Sequence, residues 1–340
     1  MSIIEKKSNY FQITNMNKKN DKIKISFSII IPTHNRAYII KQCIDSILNQ
    51  TYKEFELIII DDHSEDNTIE LLKSIEDTRL KILKLEGRKG AQAARNEGIK
   101  NASGDWICFN DSDDFWQNNK LEINIEYLKK FNSDKKIVFY NDCYRYEENT
   151  NKKNLWRLPD IKYFSSYKSL LNGPGPMFQG LFFHKSLIIN GGLLDESVPS
   201  YQEWDTSLIL AKNGAMFYHI KEPLFVYNLH SGETISKDII RDFNGYQYII
   251  NKYKDDVIKY AGMNIWKKHI KDQYIKFINN VFPVLNKNND PLLVNNANLI
   301  LSNVDLYFLH NSYGKIFRRI KSVINKILMD TGIYKRNKIC

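Results

Sequence analysis

The chain predicts an α/β protein built on a mostly parallel sheet flanked by helices, with a helical C-terminal extension. Three observations predict it. Between Phe27 and Asp142, short β-branched runs alternate with segments of helical period. The runs Ser28-Ile29-Ile30-Ile31 and Leu57-Ile58-Ile59-Ile60 are continuously apolar, as strands covered on both faces are. Polar clusters follow the strands directly: Pro32–Arg36, Asp61–Ser64 and Asp111–Asp114. In such sheets ligands bind beyond the carboxyl ends of the strands, so these clusters mark a candidate site.

The elements follow in order. Residues 1–25, rich in Lys and Asn, read as a flexible solvated tail. The first strand is expected to end at Pro32. Thr33 or Asn35 is placed to cap a helix running to about Gln50, with Ile40, Cys43, Ile44, Ile47 and Leu48 on its apolar face. The second strand stops at Asp61-Asp62. A helix (Asn67 to Ile75), a third strand (Leu80 to Leu85) and a small-residue helix (Gly90 to Asn101) come next. Trp106 to Phe109 is a strand, Leu121, Ile125 and Leu128 mark a helix, and Ile137 to Tyr140 a further strand. Residues 143–235 are less regular and richer in aromatics, glycine and proline. Residues 237–340 read as helical, and no internal repeat is present.

Composition narrows the class. The 340 residues are 43% hydrophobic and 26% charged, which excludes wholesale disorder. No apolar run approaches the ~18 residues of a conventional transmembrane helix. The N-terminus has no apolar segment of the secretory kind. Cys43, Cys108, Cys143 and Cys340 show no C-x-x-C spacing, so neither a zinc site nor a disulfide framework is expected, and a reducing cytoplasm fits. The net charge of +10 implies an anionic partner: nucleic acid, anionic lipid or phosphorylated substrate.

Charge location is more telling. Lys315, Arg318, Arg319, Lys321, Lys326, Lys335, Arg336 and Lys338 stand against Asp330 alone, so the tail 315–340 holds a large share of the excess. Within it, Ile316, Phe317, Ile320, Val323, Ile324 and Ile327 recur at helical spacing. Such a helix can lie on an anionic membrane, making the protein peripheral at the inner face of the plasma membrane, or it can dock on the body with its basic face solvated. A nucleic-acid partner is not expected. Stacking surfaces interleave aromatic and basic residues on one face, whereas the aromatics here are dispersed.

Two clusters carry chemistry. Asp111-x-Asp113-Asp114 places three carboxylates where they repel one another. A hard divalent cation, Mn²⁺ or Mg²⁺, shared with substrate phosphates would offset that repulsion. The alternative is a solvated acidic turn capping the next helix. Asp61-Asp62 can accept hydrogen bonds from a base or a ribose, or can simply form an Asx turn. No G-x-G-x-x-G follows an early strand and no G-x-x-x-x-G-K-[ST] is present, which argues against dinucleotide dehydrogenases and P-loop ATPases.

Taken together, Ser28-Ile-Ile-Ile-Pro-Thr-His-Asn-Arg36, Ser46-Ile-Leu-Asn-Gln-Thr51, Phe55-Glu-Leu-Ile-Ile-Ile-Asp-Asp-His-Ser64, Ala94-Arg-Asn96 and Asp111-Ser-Asp-Asp114 resemble family-2 glycosyltransferases of the Rossmann-like GT-A fold. The match is ordered and spans about residues 27–235. The resemblance implies a nucleotide-sugar donor, a divalent metal and inversion at the anomeric carbon, in a bacterial surface-polysaccharide setting such as O-antigen or capsule. It implies a GT-A domain over 26–235, with a nucleotide part at about 26–142 and an acceptor part at about 143–235, followed by the helical region 236–340. Pro32, Thr33, His34 and Arg36 would border the nucleotide; His34 stands where an aromatic residue is common. Asp62 would hold uracil, which favours a UDP-sugar, with Asp61 nearby and Arg95 near the diphosphate. Asp111 and Asp113 would hold ribose and metal, with Asp114 supporting or sharing the metal.

Gln202-Glu203-Trp204-Asp205 resembles the family's acceptor-side acidic motif, which makes Glu203 the general base. In the other reading Glu203 caps the following helix and Asp205 is the functional group. His230 matches a loop that closes over the diphosphate beside the metal, or is a surface histidine. The expected acceptor is a glycan or a polyprenyl-diphosphate-linked glycan. The competing readings are a non-catalytic sugar-binding relative, against which the intact acidic motif and Glu203 argue, and a basic nucleic-acid-binding protein, against which the dispersed aromatics argue.

Overall fold

The structure, a computed structural model, describes residues 25–230 and 238–285, with a few isolated positions beyond. The tail before Ile25 and the basic segment 315–340, but for Ser322, lie outside the described residues. The strands are β1 (Phe27–Thr33), β2 (Phe55–Asp61), β3 (Leu80–Lys84), β4 (Trp106–Phe109), β5 (Phe115–Trp116), β6 (Ile137–Glu147), β7 (Lys152–Trp156), β8 (Phe182–His184) and β9 (Met216–Leu229). The helices are α1 (Ile40–Leu48), α2 (Thr68–Lys73), α3 (Ala91–Asn101), α4 (Lys120–Lys130), α5 (Ser166–Leu170), α6 (Lys185–Asn190), α7 (Gln202–Lys212), α8 (Ile239–Lys252) and α9 (Met263–Leu285), with a π-helical turn Val257–Ala261 before the last.

One sheet runs β3-β2-β1-β4-β8-β6-β9-β5, with β7 added beside β6. Strands β3, β2, β1 and β4 are mutually parallel, as the continuous apolar runs require. Alternate residues feed two cores. Ile30, Ile58, Ile60, Ile107 and Phe109 face one, while Ile29, Ile31, Leu57, Ile59 and Cys108 face the other, with Ile40, Cys43, Ile44 and Ile47 of α1. The second half is mixed: β8 is antiparallel to β4 and β6, and β9 is parallel to β6. The chain leaves β1 in one direction toward β2 and in the other toward β4. The carboxyl ends of β1 and β4 therefore flank a switch point, where a crevice must open.

Several boundaries differ from expectation. β1 does not stop at Pro32 but continues to Thr33. The Ile30 carbonyl accepts from Asn110 N–H and the Thr33 carbonyl accepts from Asp62 N–H, so Pro32 faces the β4 side beyond that strand's last paired residue. Its missing N–H costs no ladder bond there. Neither Thr33 nor Asn35 caps α1, which starts at Ile40 with no side-chain cap. Asn35 instead takes a left-handed φ of 52° and turns the chain away. Residues 143–230 are more regular than expected, since β6 runs on to Glu147 and β9 spans 14 residues. Ile25, placed in the tail by the sequence, is buried.

Helices α8 and α9 belong to the body. Ile249, Ile250, Tyr253 and Val257 join the same apolar cluster as Ile30 and Ile58. Among the described residues no helix is long and apolar enough to cross a membrane.

Candidate active site

The loops after β1 and β2 are laced together. Asn35 N–H donates to Ser64 Oγ (2.9 Å), Asn35 Oδ1 accepts from Glu65 N–H (2.8 Å), and Arg36 N–H donates to Thr68 Oγ1 (2.9 Å). His34 Nδ1 lies 2.9 Å from the Asp62 carbonyl, which can only accept, so Nδ1 carries the proton and Nε2 faces Asn35 Nδ2. The Asp62 carboxylate accepts from Lys89 N–H (2.6 Å) and Gly90 N–H (2.8 Å) and so pins the turn that starts α3. Asp61 is fully buried; its Oδ2 accepts from Ser64 N–H at 3.0 Å, which makes it a brace for this loop.

The acidic turn after β4 is held by distant groups. Asp111 Oδ1 accepts from Arg95 Nη2 and Oδ2 from Gln179 Nε2, both at 2.6 Å. Asp114 is buried, with one oxygen on Asn228 N–H (2.8 Å) and the other on Gln179. Burial pushes Asp111 upward against the pull of Arg95. Burial and the charges of Asp113 and Asp111 push Asp114 well up. Asp113 faces His230 Nε2 at 2.9 Å and Arg36 Nη2 at 3.8 Å. Arg95, only 4% exposed, also reaches Gln92 and Gln202 (3.1 Å each) and lies 4.0 Å over the Phe178 ring. One guanidinium thus ties α3, the acidic turn and the start of α7 together.

At the head of α7, Tyr201 adopts φ 58° and delivers Gln202 and Glu203 to the first turn. Burial pushes the Glu203 carboxyl up, the Asp111 charge adds to it, and Arg95 opposes it. Asp205, two residues on, is fully buried and bonded to Lys252 (2.8 Å) and the Tyr253 hydroxyl (2.9 Å).

A cleft of about 1270 Å³ opens over these groups. That exceeds the roughly 300–1,000 Å³ of ordinary small-ligand pockets and leaves room for two substrates. Pro32, Thr33, His34, Arg36, Asp62, Arg95, Asp111, Asp113 and Glu203 all line it. Asp61, Asp114 and Asp205 do not; each is turned into the protein and bonded there, the position of a supporting group. His230 stands behind Asp113, not at the open surface. Sequence reading missed Gln179, Phe178, Asn228, Tyr201, Arg241 and Lys276, all part of this wall. Phe178 and Gln179 come from an irregular segment, Tyr201 and Asn228 lie beside marked residues, and Arg241 and Lys276 sit on helices that carry no motif; only folding brings them together.

The donor set fits a divalent cation. Asp113 and His230 are adjacent, and Asp111 keeps cleft exposure, while no three such side chains form a closed cage among the described residues. Two protein donors leave positions for phosphate oxygens. A carboxylate with an imidazole suits Mn²⁺ better than Mg²⁺, which prefers oxygen throughout.

A sheet whose order reverses over an acidic crevice, walled by a second acidic helix start, defines a GT-A transferase fold. S. aureus TarS residues 1–349 in complex with UDP-GlcNAc shares it, with a TM-score of 0.61, 17% identity and 92% of each chain covered. Residues 28–187 match the model of glycosyl transferase family 2. The chain is 47% identical over 105 residues to the Escherichia coli UDP-Glc:alpha-D-GlcNAc-diphosphoundecaprenol beta-1,3-glucosyltransferase WfgD, covering 31% of this chain and 42% of that protein. It is 29% identical over 224 residues to the amylovoran biosynthesis glycosyltransferase AmsB of Erwinia amylovora, covering 62% and 74% respectively. The chain thus spans less than half of the first of these relatives.

Proposed function

We propose that the protein is an inverting, metal-dependent glycosyltransferase that moves a sugar from a UDP-sugar to a lipid-diphosphate-linked glycan during bacterial surface-polysaccharide assembly. The observation that carries this reading is the presence of Glu203 in one cleft with the nucleotide loops and with Asp111 and Asp113. Asp62, Pro32 and His34 border the base, Asp111 meets the ribose, and Arg95 fixes the Asp111 carboxylate. Asp113, with His230 against its carboxylate, would hold the cation, which would neutralise charge on the leaving diphosphate. Glu203 accepts the proton of the acceptor hydroxyl. The freed oxygen bonds the anomeric carbon from the side opposite the nucleotide. The bond from that carbon to the diphosphate oxygen breaks, and UDP leaves with its electron pair. The names of WfgD and of the TarS complex support the donor and acceptor classes.

The setting proposed is the cytoplasmic face of the membrane, with segment 315–340 as a basic contact. The test is a nucleotide-sugar screen with a GlcNAc-diphosphate-alkyl acceptor, in EDTA and with Mn²⁺ or Mg²⁺. Transfer should need the metal, favour UDP-sugars and invert the anomeric configuration, and Asp113→Ala should lose most of it while staying folded. Full turnover of metal-free protein in EDTA would sink the metal assignment, and retained configuration would sink the direct displacement.

A further inference from the structure

The wall that carries Glu203 is completed by helices that the sequence left without a role. Arg241, in the first turn of α8, and Lys276, on α9, both line the cleft, together with Ser200 and Tyr201 just before Glu203. Arg241 Nε donates to the Pro199 carbonyl at 2.7 Å, which orients the guanidinium. Among the described residues neither of its Nη atoms has a hydrogen-bond partner. Lys276 Nζ donates to the Tyr201 hydroxyl (2.6 Å) and to Asp242 (2.9 Å). An ammonium has a third N–H, which is left for a ligand.

Besides Glu203, two carboxylates share this wall, and each already serves a neighbour. Asp242 pairs with Lys276, and Asp238 spends its Oδ1 on the N–H groups of Ile240 and Arg241. The nucleotide end of the cleft has its own cations, Arg36, Arg88 and Arg95, on other elements. Cations on the base side therefore face whatever brings the nucleophilic hydroxyl.

We propose that Arg241 and Lys276 form an anion subsite for the diphosphate that joins the acceptor sugar to its carrier. This deepens the functional reading above and rests on it. When the acceptor is a single sugar on its carrier, the diphosphate lies one ring from the reacting hydroxyl, so its binding site must share the cleft with the base. A planar guanidinium and an ammonium match a diphosphate in charge and donor number.

The test uses full-length protein saturated with UDP. Calorimetric titration compares GlcNAc joined to a short alkyl chain through a diphosphate with the neutral alkyl glycoside. The diphosphate compound should bind roughly tenfold or more tightly, the size of charge-assisted hydrogen bonds. Arg241→Ala should remove that preference and Lys276→Gln should reduce it, while UDP affinity stays as in the parent. Added NaCl should shrink the preference in the parent more than in Arg241→Ala. Full preference in both variants overturns the subsite. An equal loss of UDP affinity also overturns it, by assigning the cations to the donor's diphosphate. Binding preference reads the subsite even where no sugar moves, and transfer read in parallel tests the function itself.

Discussion

Glu203 and Asp205 stand two residues apart on α7 in opposite settings. Glu203 lines the cleft, while Asp205 is sealed against Lys252 and Tyr253. Burial raises the Glu203 pKa above its ordinary value, so the carboxylate needed as base is lost at a higher pH than a solvated glutamate would lose it. The sign follows: turnover should fall as pH drops through this raised value, and the acid limb of the kcat profile should lie above about 4.3. Glu203→Gln should lower kcat by roughly 10²–10⁴-fold and abolish that limb, with UDP affinity little changed. A Gln variant with parental kcat and the same acid limb would remove Glu203 from the mechanism. Asp205→Ala should act on stability instead. It strands the buried Tyr253 hydroxyl and leaves Lys252 with Asp195 alone, at a cost of about 1–3 kcal/mol. Denaturant melts should show that loss with UDP binding retained. Parental stability with lost turnover would return the catalytic role to Asp205.

At the scale of elements, α3 illustrates how close packing positions chemistry. A Cβ added at Gly98 would lie 2.5 Å from Ile30 Cγ2 and 2.8 Å from Ile60 Cδ1, so α3 sits directly on β1 and β2. That closeness keeps Arg95 within reach of Asp111. Alanine is the better helix former by about 1 kcal/mol. Even so, Gly98→Ala should destabilise, by about 1–3 kcal/mol, because overpacking against a stiff β-branched neighbour outweighs propensity. A rise in the denaturation midpoint would contradict this. The same elements show what the sequence makes legible. An apolar run that ends in carboxylates writes both the strand and the site into one short segment, and so β1, β2, β4 and their loops were readable. The start of α1 was not, because Asn35 spends its side chain on Glu65 instead of on a helix end, a long-range choice no local signal marks. Gln179 bridges Asp111 and Asp114 from 68 and 65 residues away, through contacts that exist only after β8 has paired with β4 and β6.

At the scale of the molecule, the helices after residue 238 clamp the base-bearing helix. Gly245 passes so close to Ser200 that an added Cβ would lie 2.5 Å from the Ser200 Cβ. Tyr253 and Lys252 seal Asp205, His269 accepts from the Tyr246 hydroxyl and holds the Leu171 carbonyl, and Tyr246 packs on Trp204 with ring centroids 5.2 Å apart. Trp204 is 1% exposed, and α8 and α9 supply much of its cover. Ending the chain at residue 237 would uncover Trp204 and leave Asp205 without either partner. Fully exposing one large apolar side chain costs about 1.5–3 kcal/mol, and several are uncovered together here, against a total stability of roughly 5–15 kcal/mol. The 1–237 chain should therefore lose its cooperative melt and its near-ultraviolet tryptophan signal. A chain ending at 314 keeps every contact named here, so it should melt within a few degrees of the full chain and still transfer to a short soluble acceptor. If 315–340 is the membrane contact, that shorter chain should also sediment less with anionic vesicles. A 1–237 chain that melts like the intact protein would show that the clamp is dispensable. Unfolding of the 1–314 chain would instead place the basic segment inside the fold.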